Sequence, residues 1–223
     1  MKARLPVVVV LVLAAVCSGC VDDDKMFFIR QNQVPGDGCM VDTGTDIFRS
    51  RGTLDLAVKG YDYWLHPLVE NHMLSTQGAD NQPERNLLHM RRFTVDVDVP
   101  GLGTTSLEVP VSGTINPGGI AAYGGIPVIP IAIQGPITPK PGQQVIVDAR
   151  VRAVADRSGD EMQSAEFIFP ITLCNGCLMV GDPNDACSTA NPSAVGNTCG
   201  RPQDQPVTCC IDSTGRQVCK QNK

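Results

Sequence analysis

Between Met26 and Leu173 apolar residues recur at every second position, and almost nowhere at the three-to-four spacing of a helix. Phe93, Val95, Val97 and Val99 alternate with Thr94, Asp96 and Asp98, the pattern of a strand with one face in a core. Leu88 and Met90 have the opposite parity, which predicts a bulge or break near Arg91-Arg92, because one extra residue exchanges the two faces. Thr53-Leu54-Asp55-Leu56-Ala57-Val58 repeats the alternation on a shorter scale. Val145 to Val151 leads to the polar turn Arg157-Ser158-Gly159-Asp160 and returns through Ala165 to Leu173, a hairpin of antiparallel neighbours. Strands parted by Gly, Pro and Asn clusters predict an all-β fold over residues 26–173, an antiparallel sandwich of immunoglobulin or fibronectin type.

Two stretches break the pattern. Ser75 to Asn86 is polar and holds Pro83, as a surface loop does. Pro117 to Gly142 is rich in Gly and Pro yet contains Ile126, Val128, Ile129, Ile131 and Ile133. Proline donates no ladder bond, so Pro127 and Pro130 place this segment at a sheet edge, packed within the domain or open to a partner.

The amino terminus changes the picture. Lys2 and Arg4 precede a charge-free apolar run from Leu5 to Cys17, the plan of a secretory signal. That run is far short of the roughly 20 residues a spanning helix needs. Cys17-Ser18-Gly19-Cys20 resembles the lipobox of bacterial lipoproteins, departing from it at Cys17, where leucine is usual. The resemblance implies that residues 1–19 are removed and that Cys20 is acylated, palmitate being a typical chain; ordinary cleavage after Gly19 is the alternative. Each buried methylene contributes roughly 0.8 kcal/mol, so several acyl chains hold a protein on a membrane. Residues 20–25 then form a tether, and Val21, standing where an inner-membrane lipoprotein has Asp, implies the outer membrane.

Loss of residues 1–19 removes Lys2 and Arg4 and takes the formal charge from −5 to −7. A protein so charged repels phosphate backbones, which excludes nucleic acid as an expected partner. Of the 10 cysteines, Cys17 leaves with the signal and Cys20 takes lipid. The remaining Cys39, Cys174, Cys177, Cys187, Cys199, Cys209, Cys210 and Cys219 read as a disulfide framework in an exported chain, with 105 connectivities open. All but Cys39 lie in residues 174–223, a segment poor in large apolar groups that predicts a disulfide-knotted tail. One tail cysteine is left to pair with Cys39; a Cys39–Cys174 bridge illustrates the tie, and by loop-closure entropy contributes roughly 5 kcal/mol.

Candidate chemistry is sparse. Cys174-Asn175-Gly176-Cys177 has the spacing of a redox or zinc motif, but Gly181, Pro183 and Asn184 follow where a redox motif opens a helix, so a structural disulfide is expected. Adjacent Cys209 and Cys210 are expected to bridge different partners, since a ring between neighbours is strained. Between Tyr61 and His72 an extended chain puts His66, Glu70 and His72 on one face, a two-imidazole, one-carboxylate set able to ligate a metal. With Tyr61, Tyr63, Leu65, Pro67 and Val69 opposite them as the core face, the plainer expectation is a solvated polar side. Trp64 shares that polar parity and marks either an edge contact or a small binding spot. Asp156 to Glu161 lacks the Gly and Glu of a calcium loop and is read as the hairpin turn, and Asp182, Asn184 and Asp185 as solvated donors. No hydrolase elbow, metalloprotease helix or phosphate loop occurs, so no catalytic residue and no cofactor is expected.

Phe167-Ile168-Phe169-Pro170-Ile171-Thr172-Leu173-Cys174-Asn175-Gly176-Cys177-Leu178 is similar to a stretch of uncharacterised bacterial outer-membrane lipoproteins, in which an Ig-like sandwich runs into a cysteine-rich tail. The resemblance implies envelope localisation and this architecture and carries no catalytic residue. The lipid anchor at Cys20, the disulfide-braced β architecture and the absence of a catalytic motif lead to the expectation of a non-enzymatic envelope protein that presents a binding or scaffold surface to another envelope protein or polymer. A metal-binding protein or metal-dependent enzyme using His66, Glu70 and His72 is the alternative.

Overall fold

The computed structural model describes residues 26–77, 83–182, 185–187, 196–199 and 201–219. The signal, Cys20, the tether, part of the Ser75–Asn86 loop and Asn184 lie outside the described residues.

The chain is built mostly of strands: β1 (Phe27–Gln33), β2 (Phe48–Arg49), β3 (Gly52–Asp55), β4 (Tyr63–Leu65), β5 (Pro67–Asn71), β6 (Leu88–Val99), β7 (Gly103–Pro110), β8 (Thr114–Ile115), β9 (Ile120–Ala122), β10 (Ile126–Ile129), β11 (Gln144–Arg157), β12 (Asp160–Gln163), β13 (Phe167–Cys174), β14 (Cys209–Ile211) and β15 (Gln217–Cys219). A 7-stranded sheet has the order β3-β13-β11-β6-β7, with β12 beside β11 and β8 beside β6. A 4-stranded sheet has the order β2-β1-β5-β9, and β10-β4 and β14-β15 form two-stranded ribbons. Phe93, Val95 and Val97 of β6, Ala149 and Val151 of β11 and Phe169 and Ile171 of β13 share one apolar core with Phe27 of β1, Tyr63 of β4 and Val69 of β5. Each of the Val, Ile and Phe side chains among them, fully withdrawn from water, contributes about 1.5 to 3 kcal/mol.

The strand pattern predicts this sheet well. Alternation along β6 buries the Phe93–Val99 set and turns Asp96 and Asp98 outward, where Arg150 of β11 meets Asp98 at 2.6 Å and Arg152 meets Asp96 at 3.7 Å. The expected irregularity is a bulge: Arg92 pairs with Val154 and Met90 with Ala155, so Arg91 has no opposite residue. One extra residue lets Met90 and Phe93 face the same core despite opposite parity. At Ser158 and Gly159 both φ angles are positive, 52° and 97°, the two-residue geometry that matches the twist of antiparallel neighbours.

Two features differ from the sequence expectation. Strand β3 runs parallel to β13, with Gly52 opposite Ile171 and Asp55 opposite Cys174, whereas every other strand pair is antiparallel. The Pro117–Gly142 segment keeps to sheet edges as its prolines predict, β9 ending the 4-stranded sheet and β10 pairing with β4, and it packs within the domain, since Ile126, Val128 and Ile129 are buried. Beyond them Ile131 and Ile133 lie on a short helix, α1 (Ile131–Ile137), rather than on a strand. Pro130 precedes that helix, and the Asp62 carboxylate accepts from the Ile131 N–H at 2.8 Å, satisfying an end the sequence alone leaves bare.

Among the described residues four disulfides are closed: Cys39–Cys199, Cys174–Cys177, Cys187–Cys210 and Cys209–Cys219. Cys39 therefore pairs with Cys199 and not with Cys174, because Cys174 ends β13, its carbonyl accepts from Leu56 N, and its own bridge closes the turn to Cys177. The tail is docked by more than sulfur. Asp55 accepts four backbone N–H bonds, from Ala57 at 3.0 Å, Gly176 at 2.7 Å, Leu178 at 2.8 Å and Met179 at 3.3 Å. Asp204 accepts from Thr53 N at 2.8 Å and from the Tyr63 hydroxyl at 3.0 and 3.1 Å, with Arg49 Nε 3.6 Å away. Burial raises the proton affinity of the Asp204 carboxyl against the pull of those partners, and pushes the Tyr63 hydroxyl well above its ordinary range.

Candidate functional site

His66 occupies the break between β4 and β5. Its N–H donates to Asn32 Oδ1 at 2.7 Å, its carbonyl accepts from Gln33 N at 2.9 Å, and its ring Nδ1 accepts from Gly125 N at 3.0 Å. The residue is 4% exposed. It is thus not on a solvated polar face, and neither is Glu70, which is buried in the middle of the small sheet. Period-two parity misplaces them because every position of β5 is buried.

The three residues predicted to share a site divide into two neighbourhoods. Glu70 accepts from Arg30 Nη1 at 2.8 Å and meets His72 Nε2 at 2.7 Å, while the Phe28 ring abuts His72 edge-on. A ring nitrogen of His66 instead lies with the sulfurs of Cys39 and Cys199, all within 4.8 Å of one another. Nor is the ring set up as a metal ligand. A neutral imidazole that accepts at Nδ1 carries its proton on Nε2, which then donates and offers no lone pair. Nε2 has no hydrogen-bond partner among the described residues.

Burial, aided by the Arg201 charge, lowers the His66 pKa from 6.5 to about 4. Between these values the unfolded chain binds a proton that the folded one refuses, so stability is intact above pH 6.5 and falls as pH drops toward 4. The expected loss is about 3 kcal/mol. Urea unfolding from pH 7 to pH 4 checks this, and His66→Gln should flatten that part of the profile; an unchanged slope would show that His66 titrates alike in both states.

Trp64 is covered by the tail. The Arg201 guanidinium sits 4.1 Å from its ring centroid, and Gln203 makes two reciprocal bonds of 3.0 Å with its backbone. The cleft beside it, lined by Gln33, His66, Asn197 and Thr198, encloses about 10 Å³, room for one water and no larger ligand. Cys174 and Cys177 wrap the Asp55 carboxylate in a turn with no helix after it among the described residues, so this bridge holds structure.

A more spacious site lies between β1, β2 and β13. Arg30, Gln31, Phe48, Arg49, Ser50, Phe167 and Ile168 line a groove of about 450 Å³, within the usual range for ligand sites. Phe48 is 57% and Ile168 55% exposed, apolar groups flanked by two guanidinium groups. Sequence reasoning missed it, because Phe48 belongs to a two-residue strand with no periodicity and Ile168 reads as the ordinary outer side of β13. Comparison with family models, with curated proteins and with solved structures finds no match for the chain.

Proposed function

We propose that the chain is an exported lipoprotein, anchored at the outer membrane through acyl chains on Cys20, whose Ig-like sandwich presents a non-enzymatic binding surface to another envelope component. The observation that carries the reading is the framework of four closed disulfides, which suits a protein matured in an oxidising compartment. The lipobox-like Cys17-Ser18-Gly19-Cys20 supplies the anchor. The groove between β1, β2 and β13 supplies the surface, with exposed Phe48 and Ile168 for apolar contact beside the Arg30 and Arg49 guanidinium groups, which already face Glu70 and Asp204. Aromatic and Arg side chains are the groups that most often dominate such contacts.

The test has two parts. Metabolic labelling with palmitate should mark the wild-type chain and not Cys20→Ser, and an unlabelled wild type would remove the anchor. Cross-linked pull-down from solubilised envelopes should recover a component that the double variant Phe48→Asp, Ile168→Asp loses by at least tenfold, about 1.4 kcal/mol. Equal recovery by both proteins would remove the groove from the reading.

A further inference from the structure

We propose that Cys39–Cys199 is an exchangeable disulfide, a site of reversible thiol modification in which His66 serves the sulfur that leaves. The inference stands whether or not Cys20 is lipidated.

Three observations converge on this bridge. Its two sulfurs and a ring nitrogen of His66 lie within 4.8 Å of one another. Gly125 N occupies Nδ1, so the ring proton sits on Nε2, which is withdrawn from solvent and has no partner among the described residues; Nε2 is the nitrogen proposed to serve sulfur. Cys39 is exposed whereas Cys199 is half-buried, so the bridge presents one sulfur to solvent and turns the other inward. Cys39 also has φ 61°, the left-handed region that residues other than glycine rarely adopt, and opening the bridge frees it to relax. Among the described residues no other bridge has a histidine in a comparable cluster: Asp55 stands beside Cys174 and Cys177, and its carboxylate is spent on backbone N–H groups.

The chemistry balances with a dithiol as reductant. One thiolate of the dithiol attacks Cys39 Sγ in line with the S–S bond; that bond breaks, a mixed disulfide forms on Cys39, and the electron pair departs on Cys199 Sγ. Nε2–H of His66 then donates to the new thiolate. The second thiol of the dithiol then attacks the mixed disulfide, closing the reductant's own ring and releasing Cys39. Two electrons pass to the protein, the reductant is oxidised to a cyclic disulfide, and its two protons end on Cys39 and Cys199. A leaving thiol of lower pKa departs faster, which is the step that a donor beside Cys199 assists.

The experiment uses the full mature chain with its native bridges. Limiting dithiothreitol, quenching by alkylation and peptide mapping should show Cys39–Cys199 opening first. His66→Leu should slow that opening roughly tenfold and leave the other three bridges unchanged, while His66→Gln, which keeps an N–H donor, should recover part of the rate. A purely structural His66 predicts the opposite sign, because its loss would loosen the loop and speed opening. If His66→Leu fails to fold, the thiol pKa of Cys199 in Cys39→Ser, read from alkylation rate against pH, decides the matter; a value below the ordinary thiol figure of about 8.5 supports the proposal. Another bridge opening first, an unchanged or faster rate in His66→Leu, or a Cys199 pKa at or above that figure overturns it.

Discussion

Asp55→Ala is expected to lower the free energy of unfolding by about 5 kcal/mol, measured in urea at neutral pH with the disulfides intact. The carboxylate is 0% exposed and accepts from Ala57, Gly176, Leu178 and Met179. Removing it strands several buried N–H groups, each costing about 1 to 3 kcal/mol when unsatisfied. Three of the four donors belong to the turn between β13 and the tail, so tail and sheet lose their joint together. Asp55→Asn keeps one acceptor and the volume and should lose about half as much. A loss below 1 kcal/mol in the alanine variant would mean that those amides find other partners, and that the tail docks by its bridges alone.

Gly52→Val is expected to cost about 4 kcal/mol, with a fall in thermal midpoint of 10 °C or more, by calorimetry. A Cβ at this position would stand 2.1 Å from the Tyr63 hydroxyl oxygen and 2.4 Å from Cζ. The ring cannot swing aside, since Tyr63 is fully buried and its hydroxyl is fixed on Asp204. The substitution therefore either displaces β3 from β13 or breaks the Tyr63–Asp204 contact, and the cost combines overpacking with a lost hydrogen bond to a charged group. Tyr63→Phe in the same background should relieve part of the clash. No rescue by that second change would place the strain in the β3 backbone instead.

The large sheet was legible because its signals are local. Alternation along β6, the parity flip at Arg91 and the Ser158-Gly159 turn each need only neighbouring residues to be read. What escaped depends on distant partners. Asp55 looks like the polar half of an alternating strand, and only Gly176, Leu178 and Met179, more than a hundred residues away, make it a buried acceptor. His66 looks solvated until β4 and β5 are seen to part around it and Gly125 to hold its ring. The apolar Ile131–Ile137 run reads as strand because the carboxylate that caps it comes from Asp62. The disulfides were countable from the sequence, but Cys199 as the partner of Cys39 follows from the docked tail, which no spacing rule encodes.

The parallel pairing of β3 with β13 has a consequence for how the chain is made. Strand β3 emerges early, yet its strand neighbour β13 comes 119 residues later, and the Asp204 side chain that caps Thr53 lies at a separation of 151. A ribosome-bound chain cut off before β13 holds β3 without its sheet partner and Tyr63 without Asp204, so the domain closes only after nearly all of it has been synthesised. Contacts so far apart in sequence slow folding by orders of magnitude relative to local ones. The long unpaired interval is the time in which a chaperone can keep the chain extended.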